Sequence, residues 1–228
     1  MTLTRKIDDY QFGYHLELDE HHLRTFISFF SHPGGGDAPP VLGGRNALTF
    51  DELDGFGPVA IKSYTRGGWV RYLVKRRYLK IGKTRAQIEF ELLQMVRDLG
   101  INAPEPVAYA YRGPIFYRAW LVSRAIQNPL SLALLSLKDE KKTRQAMESV
   151  IEQIEVLIRN GILHVDLHPG NVVVDRKRRI FLVDFDKGQI HHGSREQLKN
   201  RYLERWQRAV AKHRLPAILS EMLRAGLI

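Results

Sequence analysis

The stretch His164-Val165-Asp166-Leu167-His168-Pro169-Gly170-Asn171, followed by Asp184-Phe185-Asp186, decides the reading of this chain. Asp166 and Asn171 stand five residues apart, and Asp184 lies thirteen beyond Asn171. One carboxylate, one amide and a second carboxylate in that order suit the transfer of a phosphoryl group. Such a reaction asks little covalent chemistry of a protein: the site orients one hydroxyl and neutralises charge on the moving phosphate. Asp166 is the candidate to take or orient the hydroxyl proton. The Asn171 amide oxygen and the Asp184 carboxylate are the candidates to hold Mg²⁺.

The flanks place these groups at the ends of strands. Ile162-Leu163 leads in, and Val172-Val173-Val174 is a β-branched apolar run. Asp175 to Arg178 is a polar turn, and Ile180 to Val183 is a second apolar run. Asp184 thus falls where a polar side chain can leave the core. Taken singly, Asp166, Asn171 and Asp184 are ordinary turn residues. It is their spacing between matched apolar runs that makes them a set.

Composition bounds the rest. The 228 residues are enough for one two-lobed domain or two small ones, and 44% hydrophobic content is ordinary for a globular chain. With no cysteine, disulfides and thiolate metal sites are excluded. No apolar run approaches the roughly 20 residues of a spanning helix, and Asp8, Asp9, Glu17 and Asp19 do not fit a signal peptide. The expectation is a cytosolic protein or one attached to a membrane from that side. A net charge of +10 favours anionic partners without choosing among nucleotide, nucleic acid, phosphorylated glycolipid and membrane.

Within residues 1–36, Tyr10, Phe12, Tyr14, Leu16 and Leu18 alternate as in a strand, and Leu23, Phe26, Ile27, Phe29 and Phe30 suggest a short helix. This segment is expected to be an extension packed on the main domain, with a membrane-touching foot as the alternative. Residues 33–40 form a Pro- and Gly-rich linker, and Gly43-Gly44 is a candidate flap whose N–H groups cover phosphates, though a plain hairpin turn fits equally. Val59-Ala60-Ile61-Lys62 reads as a strand ending in the candidate nucleotide lysine. From Tyr64 to Arg85 eight Arg and Lys residues (Arg66, Arg71, Lys75, Arg76, Arg77, Lys80, Lys83 and Arg85) alternate with aromatic and aliphatic ones. Such a mixture binds anionic membrane, phosphorylated sugar lipid or RNA.

The spacing of Ile88, Leu92, Met95, Val96 and Leu99 predicts a helix from Thr84 to Leu99, on which Glu89 is preferred over Glu91 as the partner of Lys62. Two strands follow around Arg112-Gly113-Pro114, then a hinge over Ser123–Pro129. Lys141 to Arg159 is a strongly amphipathic helix closed by Asn160-Gly161. After Asp186, Leu198, Tyr202, Leu203, Trp206 and Val210 form one helical stripe, and a shorter helix follows through Leu223.

These residues together resemble the 3-deoxy-D-manno-octulosonic acid (Kdo) kinase family, within the lipopolysaccharide core kinases of Gram-negative bacteria. The resemblance is carried by Gly44-Arg45, Lys62-Ser63-Tyr64-x-Arg66-Gly67-Gly68, Arg77-Tyr78-Leu79 and Arg85-Ala86-x-x-Glu89-Phe90-x-Leu92-Leu93. Leu99-Gly100-Ile101-x-Ala103-Pro104-x-Pro106, Tyr117-Arg118-Ala119, His164-x-Asp166-Leu167 and Asp184-Phe185-Asp186-Lys187-Gly188 complete it, over about residues 42–190. One departure is His168-Pro169-Gly170, closer to aminoglycoside phosphotransferases and RIO-like kinases.

The resemblance implies an α+β, protein-kinase-like fold. Its N-lobe, residues 37–124, would be an antiparallel sheet with one helix, and its C-lobe, residues 125–228, small and mostly helical. It implies ATP-dependent phosphorylation of a Kdo hydroxyl, the 4-OH, on a lipid A precursor at the cytoplasmic face of the inner membrane. Asp166 would be the base, Lys62 and Glu89 the phosphate-positioning pair, and Asn171 and Asp184 the Mg²⁺ ligands. Gly43, Gly44 and His168 are placed with the nucleotide. The Arg66–Arg85 segment would meet the anionic membrane, with no nucleic acid as partner. An aminoglycoside-type or RIO-like kinase is the alternative within enzymes. A catalytically idle membrane- or nucleic-acid-binding kinase fold is the alternative outside them, against which the complete set of Lys62, Asp166, Asn171 and Asp184 argues.

Overall fold

The computed structural model describes residues 2–14, 18–31, 48–64, 78–79 (backbone only), 82–114 and 116–227. The Gly43-Gly44 flap and most of the basic segment, including Arg66, Arg71, Lys75, Arg76, Arg77 and Lys80, lie outside the described residues. The chain divides into two compact units: residues 1–94 with 105–125, and residues 95–104 with 126–228.

The first unit is built on an antiparallel sheet. β1 (Leu3–Ile7) and β2 (Tyr10–Tyr14) form a hairpin in which Ile7 faces Tyr10. Its turn is Asp8-Asp9, and Asp8 takes φ +53°, a conformation that Asp tolerates in tight turns. α1 (Glu20–Ser31) is started by Asp19, whose Oδ1 accepts from the His22 N–H at 2.9 Å. β3 (Leu48–Leu53) and β4 (Gly57–Ser63) form a second hairpin. β5 (Tyr78–Leu79), α2 (Arg85–Asp98), β6 (Pro106–Arg112) and β7 (Phe116–Arg124) complete the elements, α2 belonging to this unit as far as Gln94. Among the described residues the strand order is β1-β2-β6-β7-β4-β3, with β5 paired to β7.

The described part of residues 1–36 is joined to the main sheet, because β2 pairs with β6 over five positions, from Tyr10 opposite Arg112 to Tyr14 opposite Ala108. Among its described residues the unit carries α1, where Leu23 to Phe30 suggested a short helix, and most of α2, the helix expected after Thr84. α1 buries Leu23, Phe26 and Phe30 against Tyr10, Phe12 and Trp120, and the Phe30 and Trp120 rings stack at 4.7 Å. Each such side chain is worth about 1.5–3 kcal/mol on burial, which is why this aromatic cluster faces inward. Gly13 stands opposite Tyr109, and a Cβ there would lie 2.2 Å from the Tyr109 ring. Only glycine lets the ring lie across β2.

α2 corrects the face expected from apolar spacing. Of the expected stripe, Leu92 and Val96 are buried but Ile88, Met95 and Leu99 are exposed, and Ala86, Phe90 and Leu93 are buried in their place. The buried face also carries Glu89, so a count of apolar residues alone rotates it.

The second unit begins in the last turn of α2, which Gly100, at φ +83°, closes. β8 (Leu130–Ser131), α3 (Leu132–Ser136) and α4 (Glu140–Arg159) follow. β9 (Ile162–Leu163), β10 (Val172–Val174), β11 (Ile180–Leu182) and β12 (Gln189–Ile190) come next, then α5 (Arg195–Lys212) and α6 (Ile218–Gly226). β11, β10 and β8 form one small sheet, and β9 pairs with β12. α4 starts on the Asp139 cap and buries Met147, Val150, Ile154 and Leu157. From the same helix Gln153 accepts from the Asn102 N–H at 3.0 Å and donates to the Ile180 carbonyl at 3.3 Å, fixing the loop after α2 and the start of β11.

Candidate active site

In the first unit the candidate cation pair forms. Lys62 lies near the end of β4, between Leu48 of β3 and Leu121 of β7, which fixes the direction of its side chain. Its Nζ donates to both Glu89 oxygens, at 2.9 and 2.8 Å. The side chains are 12% and 3% exposed, so this is a desolvated pair with one long side chain ending at a buried carboxylate. The Tyr64 hydroxyl also donates to Glu89 Oε2. Glu91, the alternative partner, is instead met by Lys83 at 2.6 Å on the exposed side of α2. Two residues along β4 and one on α2 thus hold an ammonium group in a fixed place. That is the arrangement needed to present one positive charge to a phosphate without reorganisation.

In the second unit the loop from β9 to β10 carries the acid and amide. It is held from both ends. The Tyr202 hydroxyl of α5 accepts from the His164 N–H at 2.8 Å and donates to the Ile162 carbonyl at 2.7 Å. At the other end Pro169–Asn171 makes one 3₁₀ turn, capped by His168, whose Nδ1 accepts from the Gly170 N–H at 3.0 Å. Between these anchors the Asn171 Nδ2 donates to the Asp166 carbonyl at 3.0 Å. That bond fixes the amide's orientation and commits the nitrogen to the loop, so the oxygen is the atom turned to a ligand.

Asp184 is brought to Asn171 by the ladder. Val172 faces Leu182 across β10 and β11, and the Val183 N–H donates to the Asn171 carbonyl at 2.9 Å. The next residue, Asp184, takes φ +65°, an uncommon conformation for a non-glycine residue that costs on the order of 1–3 kcal/mol and recurs at functional sites. Phe185 then turns into the core against the His164 ring at 4.3 Å, and the Gly188 N–H closes the turn on the Phe185 carbonyl at 2.8 Å. Asn171 and Asp184 offer hard oxygen donors, which fit Mg²⁺. Among the described residues no three His, Cys, Asp or Glu side chains gather as a metal cage.

The two histidines of the loop are structural. His164 is buried and its Nε2 lies 2.9 Å from the Val183 carbonyl. A carbonyl only accepts, so Nε2 carries the proton and the buried Nδ1, which has no partner among the described residues, is bare. Burial holds this ring below the ordinary histidine range. His168, placed above with the nucleotide, is buried instead as the cap of the 3₁₀ turn. Burial first, and the Arg205 charge second, push it down to about 4.

The sequence reading missed Arg205, Tyr202's role and Tyr64's hydrogen bond. Arg205 of α5 donates from Nε at 3.0 Å and from Nη2 at 2.5 Å to Asp166 Oδ1. A signal for it existed. Leu198, Tyr202, Trp206 and Ala209 form the buried stripe of α5, and Arg205, seven residues after Leu198, interrupts that stripe with a charge.

The family model described as "Lipopolysaccharide kinase (Kdo/WaaP) family" matches residues 43–221. A 3-deoxy-D-manno-octulosonic acid kinase of Vibrio vulnificus (strain CMCP6) is 33% identical over 175 residues, 75% of this chain and 72% of that protein. One of the same description from Xylella fastidiosa (strain 9a5c) is 32% identical over 160 residues, 68% of this chain and 63% of that protein. Another, from Vibrio parahaemolyticus serotype O3:K6, is 31% identical over 192 residues, 79% of each.

Proposed function

This chain belongs to the lipopolysaccharide kinase (Kdo/WaaP) family and is a kinase, and on that premise we propose that it uses ATP and Mg²⁺ to phosphorylate a Kdo sugar in lipopolysaccharide core biosynthesis. The observation that carries the reading is the bond from Val183 to Asn171, which ties the residue before Asp184 to the loop that also bears Asp166. The desolvated Lys62–Glu89 pair supports it independently. In this reading the two units are the two lobes of a protein-kinase-like fold.

The acceptor hydroxyl attacks the γ-phosphorus of ATP. A new P–O bond forms, the bond to the β-phosphate oxygen breaks, and ADP leaves with that electron pair. Asp166 orients the hydroxyl and takes its proton as attack proceeds. Lys62 meets the phosphates, kept in place by Glu89. Asn171 and Asp184 would hold Mg²⁺, which would supply the remaining charge neutralisation.

The finer reading is the 4-OH of Kdo on a lipid A precursor, at the cytoplasmic face of the inner membrane. Its support is chemical. Kdo carries a carboxylate and lipid A carries phosphates, and the net charge of +10 and the arginines between Arg66 and Arg85 suit both. No helix among the described residues is long and apolar enough to cross a membrane, so attachment in this reading is peripheral. Reversing Arg76 and Arg77 should weaken vesicle and acceptor binding at low salt, and less so at high salt.

The test is a transfer assay with labelled ATP and Mg²⁺, offering a Kdo-bearing lipid A precursor, free Kdo, an aminoglycoside and a generic protein. Asp166→Ala serves as the control. Label on the Kdo acceptors alone, lost in the variant, supports the proposal. Label on the aminoglycoside or the protein would sink it.

A further inference from the structure

We propose that Arg205 is the acceptor-binding residue of this kinase: one edge of its guanidinium holds Asp166, and the other takes the carboxylate of the sugar acid. The inference rests on the Kdo reading above and names the atom pair by which the acceptor is recognised.

Arginine has five N–H groups and no acceptor. Arg205 spends Nε–H and one N–H of Nη2 on a single atom, Asp166 Oδ1. Two consequences follow. First, Asp166 is fixed with Oδ1 occupied, so Oδ2 is the oxygen left for a hydroxyl proton. Second, three N–H groups of Arg205 have no protein partner among the described residues, while the side chain is 28% exposed and Asp166 is 49% exposed. A half-covered guanidinium that keeps an unused edge beside a catalytic carboxylate is a ready site for a second anion, because planar N–H pairs match carboxylate geometry. A sugar acid carries its carboxylate a few bonds from its ring hydroxyls. Binding the acid on the free edge of Arg205 therefore brings a hydroxyl of the same molecule to Oδ2.

The fold supports a built position rather than a chance surface contact. Arg205 sits in the buried stripe of α5, between Tyr202, which holds the loop backbone, and Trp206, whose Nε1 donates to the Leu219 carbonyl at 3.0 Å. α5 itself starts on a capping box of Ser194 and Gln197. The guanidinium is thus carried by a helix anchored on both sides. Its charge also helps hold His168 neutral beside the site.

The experiment compares the Kdo-bearing lipid A precursor with the methyl ester of its Kdo carboxylate, for wild type, Arg205→Gln and Arg205→Lys. The ester keeps the shape and loses the charge. Wild type should prefer the acid by about 10- to 100-fold in acceptor kcat/KM, the range for one charged hydrogen-bonded contact. Arg205→Gln should raise the acceptor KM by a similar factor and treat acid and ester alike, with the ATP KM within about twofold of wild type. Arg205→Lys should recover part of the preference. If Arg205→Gln keeps the wild-type preference for the acid and only lowers kcat, the residue merely positions Asp166 and this proposal falls alone. If wild type transfers phosphate to neither sugar, the Kdo reading falls and takes this proposal with it. Thermal melting of each variant shows that the comparison is made on folded protein, and the acid-to-ester ratio within one variant is independent of how much of it is active.

Discussion

Replacing Tyr202 by Phe removes one oxygen atom and should cost far more than its size suggests. The Tyr202 hydroxyl is buried and makes two bonds of good length, 2.8 Å from the His164 N–H and 2.7 Å to the Ile162 carbonyl. Phenylalanine keeps the ring packing, so the change is confined to those bonds. It strands one backbone donor and one backbone acceptor, each costing about 1–3 kcal/mol when buried without a partner. The more apolar ring offsets part of this, leaving a net loss of about 2–4 kcal/mol. Burial also pushes the Tyr202 phenol far up from its ordinary range, so the hydroxyl stays protonated and plays both roles at any working pH. The assay is urea unfolding followed by circular dichroism, read as a shift in midpoint at constant slope, beside kcat under saturating substrates. Both should fall, because the stranded groups flank the start of the loop that bears Asp166. A loss below about 0.5 kcal/mol with kcat unchanged would refute the claim that α5 holds this loop by the Tyr202 bridge.

Three further outcomes are expected. Glu89→Ala strands the ammonium of Lys62 in a nearly dry place, so stability should fall by about 3–5 kcal/mol and the ATP KM should rise; the double variant Lys62→Met with Glu89→Leu should be more stable than Glu89→Ala and still inactive, as thermal melts and turnover will show. His168 is pushed down from 6.5 to about 4 in the folded chain, so between those values the unfolded chain holds the extra proton and stability is lost as pH falls, by about 2 kcal/mol at pH 5 relative to pH 7; His168→Asn, which keeps a capping oxygen without a titrating ring, should flatten that slope in unfolding measured at several pH values. Gly13→Ala places a methyl 2.2 Å from the Tyr109 ring and should destabilise by about 1–3 kcal/mol through overpacking, read as a lowered melting temperature without loss of the β-sheet circular dichroism signal.

What the sequence made legible was local. The runs flanking Asp166, Asn171 and Asp184 declare their strands by β-branched composition, and those strands pair as the runs suggest, Val172 opposite Leu182. The turn chemistry of Gly100 and Gly161 marks the ends of α2 and α4, and both take positive φ. Illegible was whatever depends on partners distant in the chain. The N-terminal aromatics looked like an optional extension because nothing local says that Tyr14 will lie opposite Ala108. The two-residue strands β9 and β12 are too short for periodicity to register. On α2 the apolar count chose Ile88 and Met95, both exposed, because the true inner face holds the small Ala86 and the ionised Glu89. A functional residue on a buried face weakens the very pattern used to find that face.

The same conflict points to function when it is read in the other direction. Glu89 interrupts the inner face of α2, and Arg205 interrupts the inner stripe of α5; each meets a candidate site residue, Lys62 at 2.8 Å and Asp166 at 2.5 Å. A charge on a buried face costs stability unless a partner waits there, so its presence implies a second charge held in place. On a helix the holding is precise. Tyr202 and Arg205 are three residues apart, about 4.5 Å along the axis and on one face. One fixes the loop backbone at His164 and the other fixes the Asp166 carboxylate two residues further on. The candidate base is therefore set by a rigid helix rather than by the loop's own stiffness. The loop needs to be rigid only at the atoms where chemistry occurs, and α5, capped by Ser194 and tied to α6 (Ile218–Gly226) through Trp206, supplies that rigidity from some forty residues away in sequence.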